Sequence, residues 1–347
     1  KLMIKFHKFG LFTEDFVNLH SVMTDIHTIR RALAPDLESI NSLIADRLSS
    51  TNPLINEVIG RYLSHKGKQL RPMMVVLTAR LLGASVSDRV IASAASIEML
   101  HNASLIHDDV IDQSSTRHNA PTINAMWDNH IAVLVGDYFV SSALQLVIST
   151  ADLRAIETIA SLGRLLSTGE MDQIHNAANN SISEESYFEI ITHKTASLFV
   201  ACVEMGAYAA DADSRKLDIM RRFALLFGQC FQIKDDIFDY FHSDSLGKPT
   251  GNDLREGKVT LPLIHALGRT DYPGCRDAAS LLARGSLNDD EIASLIRYAI
   301  EAGGIDYAES TLLRLRDKAA ETLAELGPDA DTTPLLTLLD YIIARDK

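Results

Sequence analysis

From Asp88 to Ile111, apolar residues fall at Val90, Ile91, Ala94, Ala95, Ile97, Leu100, Ala103, Leu105 and Ile106, with no Gly or Pro among them. Spacings of three and four predict a long helix that is apolar on more than one face, and therefore internal. Asp88, soon after Gly83, is placed to cap its start. The same periodicity predicts helices over 35–65, 69–82, 123–150, 152–175, 184–210, 214–242, 260–268, 275–284, 288–302, 305–326 and 332–345. Short polar segments such as GASVS, QSSTRHNAPT, DYPG and LGPDADTT punctuate them. No alternating run makes a convincing strand hairpin, no period repeats, and no linker divides two compositional regimes. The pattern predicts an all-α fold, a single large helical domain over residues 23–347. Residues 1–22 precede Met23, which reads as a natural start, and are expected to be an upstream extension outside that domain.

Composition narrows the picture. An apolar share of 46% in 347 residues is ample for a large core. Cys202, Cys230 and Cys275 are an odd, widely spaced set, which argues against a disulfide framework and for a reducing, cytoplasmic setting. A net charge of −13 disfavours nucleic acid as a partner. No apolar run reaches the length of a membrane span.

The unusual feature is an acidic cluster that occurs twice. LIHDDVID places Asp108, Asp109 and Asp112 in an apolar run, and FQIKDDIFDY does the same with Asp235, Asp236 and Asp239. On a helix the three positions of each cluster lie within an arc of about 100°. Like charges so close repel, by a few tenths of a kcal/mol even in water and by more with burial. Hard oxygen donors without nearby thiols, at a spacing wrong for a calcium-binding loop, suit Mg²⁺ shared with substrate phosphates.

Basic residues stand where phosphates would need them. Lys68 and Arg71 open a helix in KGKQLRP, Arg117 follows the first cluster, Lys194 lies in HKTASLF, and Lys248 and Lys258 follow the second cluster. His101 is two turns before Asp108 and about 20° off its face. Thr195 and Gln232 add polar groups beside these positions. A charged mouth above apolar helix interiors suits a substrate with a diphosphate head and a hydrocarbon tail.

The motifs KGKQLRP, HNASLIHDDVID, GDYF, GEMDQ, KTASLF and FQIKDDIFDY followed by GKPTGNDLREGK together resemble the trans-isoprenyl diphosphate synthase family, over about residues 30–345. The resemblance implies helices around a central cavity, a homodimer and three Mg²⁺ ions. It implies that Asp108, Asp109, Asp112, Asp235 and Asp236 hold those ions, with Asp239 acting through water. Arg117, Lys194, Lys248 and Lys258 would then bind the allylic diphosphate, and Lys68, Arg71 and His101 isopentenyl diphosphate. Thr195 and Gln232 would steady the allylic cation.

By the same resemblance, bulky aromatics one turn before the first cluster would close the floor, and Ala103 and Ser104 there are small. A long-chain product of about C30–C50 is expected, of the kind used for quinone side chains and passed to membrane enzymes. Tyr138 and Phe139 are candidates for a lower floor or for ordinary core. A short-chain synthase remains the alternative. A class I terpene cyclase would not need a second diphosphate site, and a non-catalytic subunit would not need both acidic clusters intact.

One departure from the family pattern has a measurable consequence. Where Arg-Arg-Gly is usual, this chain reads Arg117-His118-Asn119. His118 can replace a cation at the isopentenyl diphosphate site only when protonated, with an ordinary pKa of about 6.5. His118→Arg is expected to lower the KM for isopentenyl diphosphate, increasingly so above neutral pH. Equal KM values for the two proteins across that range would remove the assignment.

Overall fold

The computed structural model describes residues 26–64, 67–117, 120–179, 183–241 and 250–345, and their architecture is all-α. The predicted helix over 35–65 is two helices, α1 (Ala34–Arg47) and α2 (Pro53–Leu63). Pro53 cannot continue a helix from behind it, and the Asn52 side chain accepts from Leu54 N to begin a new one. Then follow α3 (Leu70–Leu81), α4 (Asp88–Ile111), α5 (Asn129–Ile148) and α6 (Leu153–Asn179). Ser87, not Asp88, occupies the cap position of α4, and Asp88 is its first helical residue.

Between α4 and α5 a two-residue antiparallel pair, β1 (Thr116–Arg117) and β2 (Ala120–Pro121), sets Arg117 opposite Ala120. Periodicity missed it because two residues per strand carry no alternation to read. His118 and Asn119 lie outside the described residues.

The predicted helix over 184–210 is interrupted. It comprises α7 (Glu184–Ile191), a π turn (Thr192–Ala196) and α8 (Ser197–Ala209). The chain continues through α9 (Ser214–Asp239), α10 (Leu261–Gly268), α11 (Cys275–Leu282), α12 (Asp289–Glu301), α13 (Gly304–Ala324) and α14 (Thr333–Ala344).

The main core draws side chains from α1 to α6, α8, α9, α13 and α14, with Phe139, Phe199, Phe223 and Phe227 fully buried. A smaller core under α10 to α12 gathers Leu263, Leu295 and Tyr298. A third, with Tyr187, Ile191, Ile237, Leu261 and Leu312, joins α7, α9, α10 and α13. One expectation needs correction: α5 is long and apolar enough to cross a membrane by length and composition. It packs against α4 with 44% of its most apolar stretch buried, while Val133, Leu134 and Ile148 remain exposed. A core helix of this composition meets the same criterion as a membrane span.

Two glycines admit the π turn. A Cβ on Gly228 of α9 would lie 2.4 Å from Ala196 Cα, and one on Gly169 of α6 would lie 2.9 Å from Lys194 N. Both obstacles are backbone, so neither can swing aside. Gly228→Ala is expected to cost about 1–3 kcal/mol of stability and to depress activity by displacing the turn. Gly163→Ala, with open space around it in α6, should instead stabilise by about 0.5–1 kcal/mol. Chemical denaturation of the two variants checks both signs.

Candidate active site

Both acidic clusters occupy the last turn of a long helix. Asp108 and Asp109 end α4 with Asp112 as its cap residue, and Asp235, Asp236 and Asp239 end α9. The carbonyl end of a helix is itself partly negative, so each triad adds charge where the backbone already repels it. Basic side chains answer from other elements. Arg117 Nε on β1 donates to Asp109 Oδ1 at 2.9 Å, with Asp109 buried. Lys258 Nζ lies 3.8 Å from Asp112 Oδ1 and pairs with Glu256. Burial pushes the Asp108 carboxyl up to about 6, against the opposing pull of Lys194.

The π turn fixes Lys194. Its ammonium pairs with Glu170 and donates to Gln173 Oε1 at 3.2 Å. GEMDQ thus supplies a glycine to clear the turn and two side chains to aim the lysine. Lys194, Thr195, Gln232, Asp236 and Lys258 line one cavity of about 160 Å³, together with Tyr187.

The second triad divides its tasks. Asp235 Oδ1 accepts from Arg345 Nη2 at 2.6 Å. Asp236 is buried, and both its oxygens are engaged: Oδ2 accepts from Tyr187 Oη at 2.6 Å and Oδ1 from Gln232 Nε2 at 2.7 Å. Burial raises its pKa, and the two donated bonds pull it back. Asp239 accepts from Asn252 N at 2.9 Å and Asp253 N at 3.1 Å, fastening the helical turn Asn252–Arg255 beneath the triad.

Around the expected second head group, Lys68 Nζ sits 5.7 Å above the Tyr341 ring, and Arg71 lies over Phe199 and Phe231. Arg345 covers the same Phe231 ring at 4.4 Å. Arg71 and Arg345 therefore share the Phe231 ring, and Arg345 also reaches Asp235. His101 lies higher on α4, where Ser104 Oγ donates to its carbonyl at 2.9 Å. Ala103 is buried in the main core. Phe139 stacks edge-on against Tyr62, and Tyr138 Oη donates to Ser49 O, so both act in packing. Lys248 lies outside the described residues.

The sequence reading missed Arg345, Tyr187 and Asp253. Asp253 is a half-buried carboxyl raised well above its ordinary range by desolvation and by Asp236. GNDLREGK contains Asp253, but nothing in its spacing marks that residue as packed beside the second triad.

No group of three or more metal-binding side chains converges among the described residues. The donors nevertheless fit Mg²⁺: hard carboxylate oxygens on two helix ends, with lysines between them. Such a set holds an ion through one or two carboxylates while phosphate oxygens complete the shell.

The Asp108 shift fixes the sign of a pH effect. A carboxyl whose pKa is higher in the fold stabilises below its unfolded value, and that contribution is lost as pH rises through about 6. Asp108→Asn is expected to raise the thermal midpoint of metal-free protein at about pH 7.5 and to leave it unchanged near pH 4. A scan of both proteins at the two pH values measures it.

Residues 52–299 match the family described as Polyprenyl synthetase. Octaprenyl diphosphate synthase of Escherichia coli (strain K12) is 32% identical over 328 residues, which is 93% of this chain and 100% of that protein. A polyprenyl synthase structure from Caulobacter crescentus CB15, complexed with calcium and isoprenyl diphosphate, superposes with a TM-score of 0.86 at 32% identity. That alignment covers 93% of this chain and 98% of the other. A geranylgeranyl pyrophosphate synthase structure from Bacteroides thetaiotaomicron is 38% identical with a TM-score of 0.79, covering 93% and 100%. The chain belongs to the polyprenyl synthetase family.

Proposed function

We propose that this protein condenses isopentenyl diphosphate onto an allylic diphosphate, releasing diphosphate and building an all-trans long-chain polyprenyl diphosphate of about C30–C50. The observation that carries the reading is the placement of Lys194 and Lys258 between two carboxylate-bearing helix ends. One is aimed by Glu170 and Gln173, the other held near Asp112. Arg71 and Arg345 gather on the Phe231 ring, and Lys68 stands over Tyr341. Two cationic sites side by side suit two diphosphates.

Mg²⁺ held by Asp108, Asp112 and Asp235, three ions in the filled site, would supply Lewis-acid stabilisation of the departing diphosphate. Lys194, Lys258 and Arg117 would neutralise charge on the same group as the allylic C1–O bond breaks. Thr195 and Gln232 would face the resulting carbocation. The double bond of isopentenyl diphosphate, held by Lys68, Arg71 and Arg345, would attack C1. A proton then leaves to the released diphosphate, so no covalent enzyme intermediate is required.

Small residues at Ala103 and Ser104 support the long-chain reading, as does similarity to the octaprenyl synthase. Quinone side chains, made by membrane enzymes that receive the product, are the destination this length suits. A C20 product is the second reading, favoured by the 38% identity to a geranylgeranyl synthase. We place the enzyme in the cytoplasm as one catalytic domain over 23–347. It would be a homodimer in which a second copy covers Val133 and Leu134 of α5 and Leu153 of α6, all exposed.

Purified protein given Mg²⁺, isopentenyl diphosphate and a series of allylic primers should yield products of about C30–C50 by mass spectrometry, and none without isopentenyl diphosphate. A spectrum dominated by C15 or C20 would transfer the assignment to the short-chain reading. Ala103→Phe is expected to shorten the product; an unchanged length would show that the tail takes another path.

A further inference from the structure

Tyr187 lies seven residues before Lys194, in a stretch where no family motif was recognised, yet it touches the centre of the site. Its ring is buried on α7, edge-on to Phe188 at 5.5 Å, and its hydroxyl meets Asp236. From Asp236 the contacts continue in one line. Gln232 Nε2 is 2.7 Å from Asp236 Oδ1, and Thr195 Oγ1 is 2.7 Å from Gln232 Oε1. All four side chains line the cavity that holds Lys194 and Lys258.

The donor and acceptor inventory fixes the direction of this line. Asp236 accepts from the Tyr187 phenol at one oxygen and from the Gln232 amide at the other, and an amide donates from nitrogen alone. With Asp236 accepting from both neighbours, Gln232 must turn its NH₂ to the carboxylate and its oxygen to Thr195. The Thr195 proton is then committed to Gln232, and the lone pairs of Thr195 Oγ1 are left for the cavity. If the Gln232 amide turned over, its NH₂ would donate to Thr195, and the hydroxyl proton would point into the cavity. The two states present opposite polarity to a developing carbocation.

We propose that Tyr187 is a positioning residue that anchors Asp236 through Oδ2, so that Asp236 Oδ1 stays turned to the Gln232 NH₂, the Gln232 oxygen is left to Thr195, and Thr195 offers an oxygen lone pair, not a proton, to the allylic cation. The Tyr187 hydroxyl is given to Asp236. It acts through Asp236, and Asp236 serves the chain. The role rests on the prenyl-transfer reading above. It matters only at the moment when positive charge develops, so it belongs to turnover and not to substrate capture.

Tyr187→Phe removes one oxygen and keeps the ring contacts. Its kcat for condensation should fall about tenfold, with both KM values within about twofold of the parent. Calorimetric affinity for Mg²⁺ with inorganic pyrophosphate should be unchanged. On a Thr195→Val background, Tyr187→Phe should cost nothing further, because the group it orients is gone. Four outcomes would overturn the role: an undiminished kcat, weakened Mg²⁺–pyrophosphate binding, the same loss on the Thr195→Val background, or a matching rise in both KM values. A parent protein without condensation activity would overturn the prenyl-transfer reading together with this one, whereas an active parent with an unimpaired Tyr187→Phe variant overturns this one alone.

Discussion

Two long helices, α4 and α9, end in carboxylate triads, and every other part of the site exists to balance that charge. The helix dipole makes each triad less favourable than the same residues at a helix start. Burial of Asp109 and Asp236 adds a desolvation cost. Pairing with Arg117 answers the first, and hydrogen bonds from Tyr187 and Gln232 answer the second. Lys194, Lys258 and Arg345 supply positive charge from three other parts of the chain. A protein with a net charge of −13 has concentrated its cations where substrate diphosphates would bring still more negative charge.

Much of this was legible in the sequence because it depends on local spacing. The triads, the basic residues and the long apolar helices are all recognisable within short windows, and the structure brings Lys194, Thr195, Gln232, Asp236 and Lys258 around one opening. What periodicity could not supply was long-range partnership. Arg345 reaches Asp235 across 110 positions, and its segment reads only as an amphipathic helix end. Tyr187 is an ordinary apolar position in α7 until α9 is packed against it. The break at Asn52–Pro53 was visible in its residues, but the apolar pattern resumes so soon beyond it that the two helices read as one.

Space explains why several of the motifs carry a glycine. GEMDQ and the Gly228 position in α9 are sterically coupled to KTASLF, because the π turn brings backbone within 3 Å of where a Cβ would stand. Gly136 of GDYF likewise makes room for the His107 ring, which approaches Val133 O at 3.3 Å. This docks the end of α4 against α5 just before Asp108. Motifs far apart in the chain are thus two sides of single contacts.

The wide turn at Thr192–Ala196 has a consequence for how the enzyme can change. A continuous α-helix would lock α7 and α8 into one angular phase, so that any rotation suiting the core would swing the substrate-facing residues with it. One bulged turn uncouples the two. Leu198, Phe199, Cys202 and Met205 can settle against α3 and α9 on their own terms, while Tyr187 and Ile191 answer to α9 and α13. Variation in the packing of one half is therefore insulated from the aim of the other, and a lineage can remodel its interior without disturbing the chemistry.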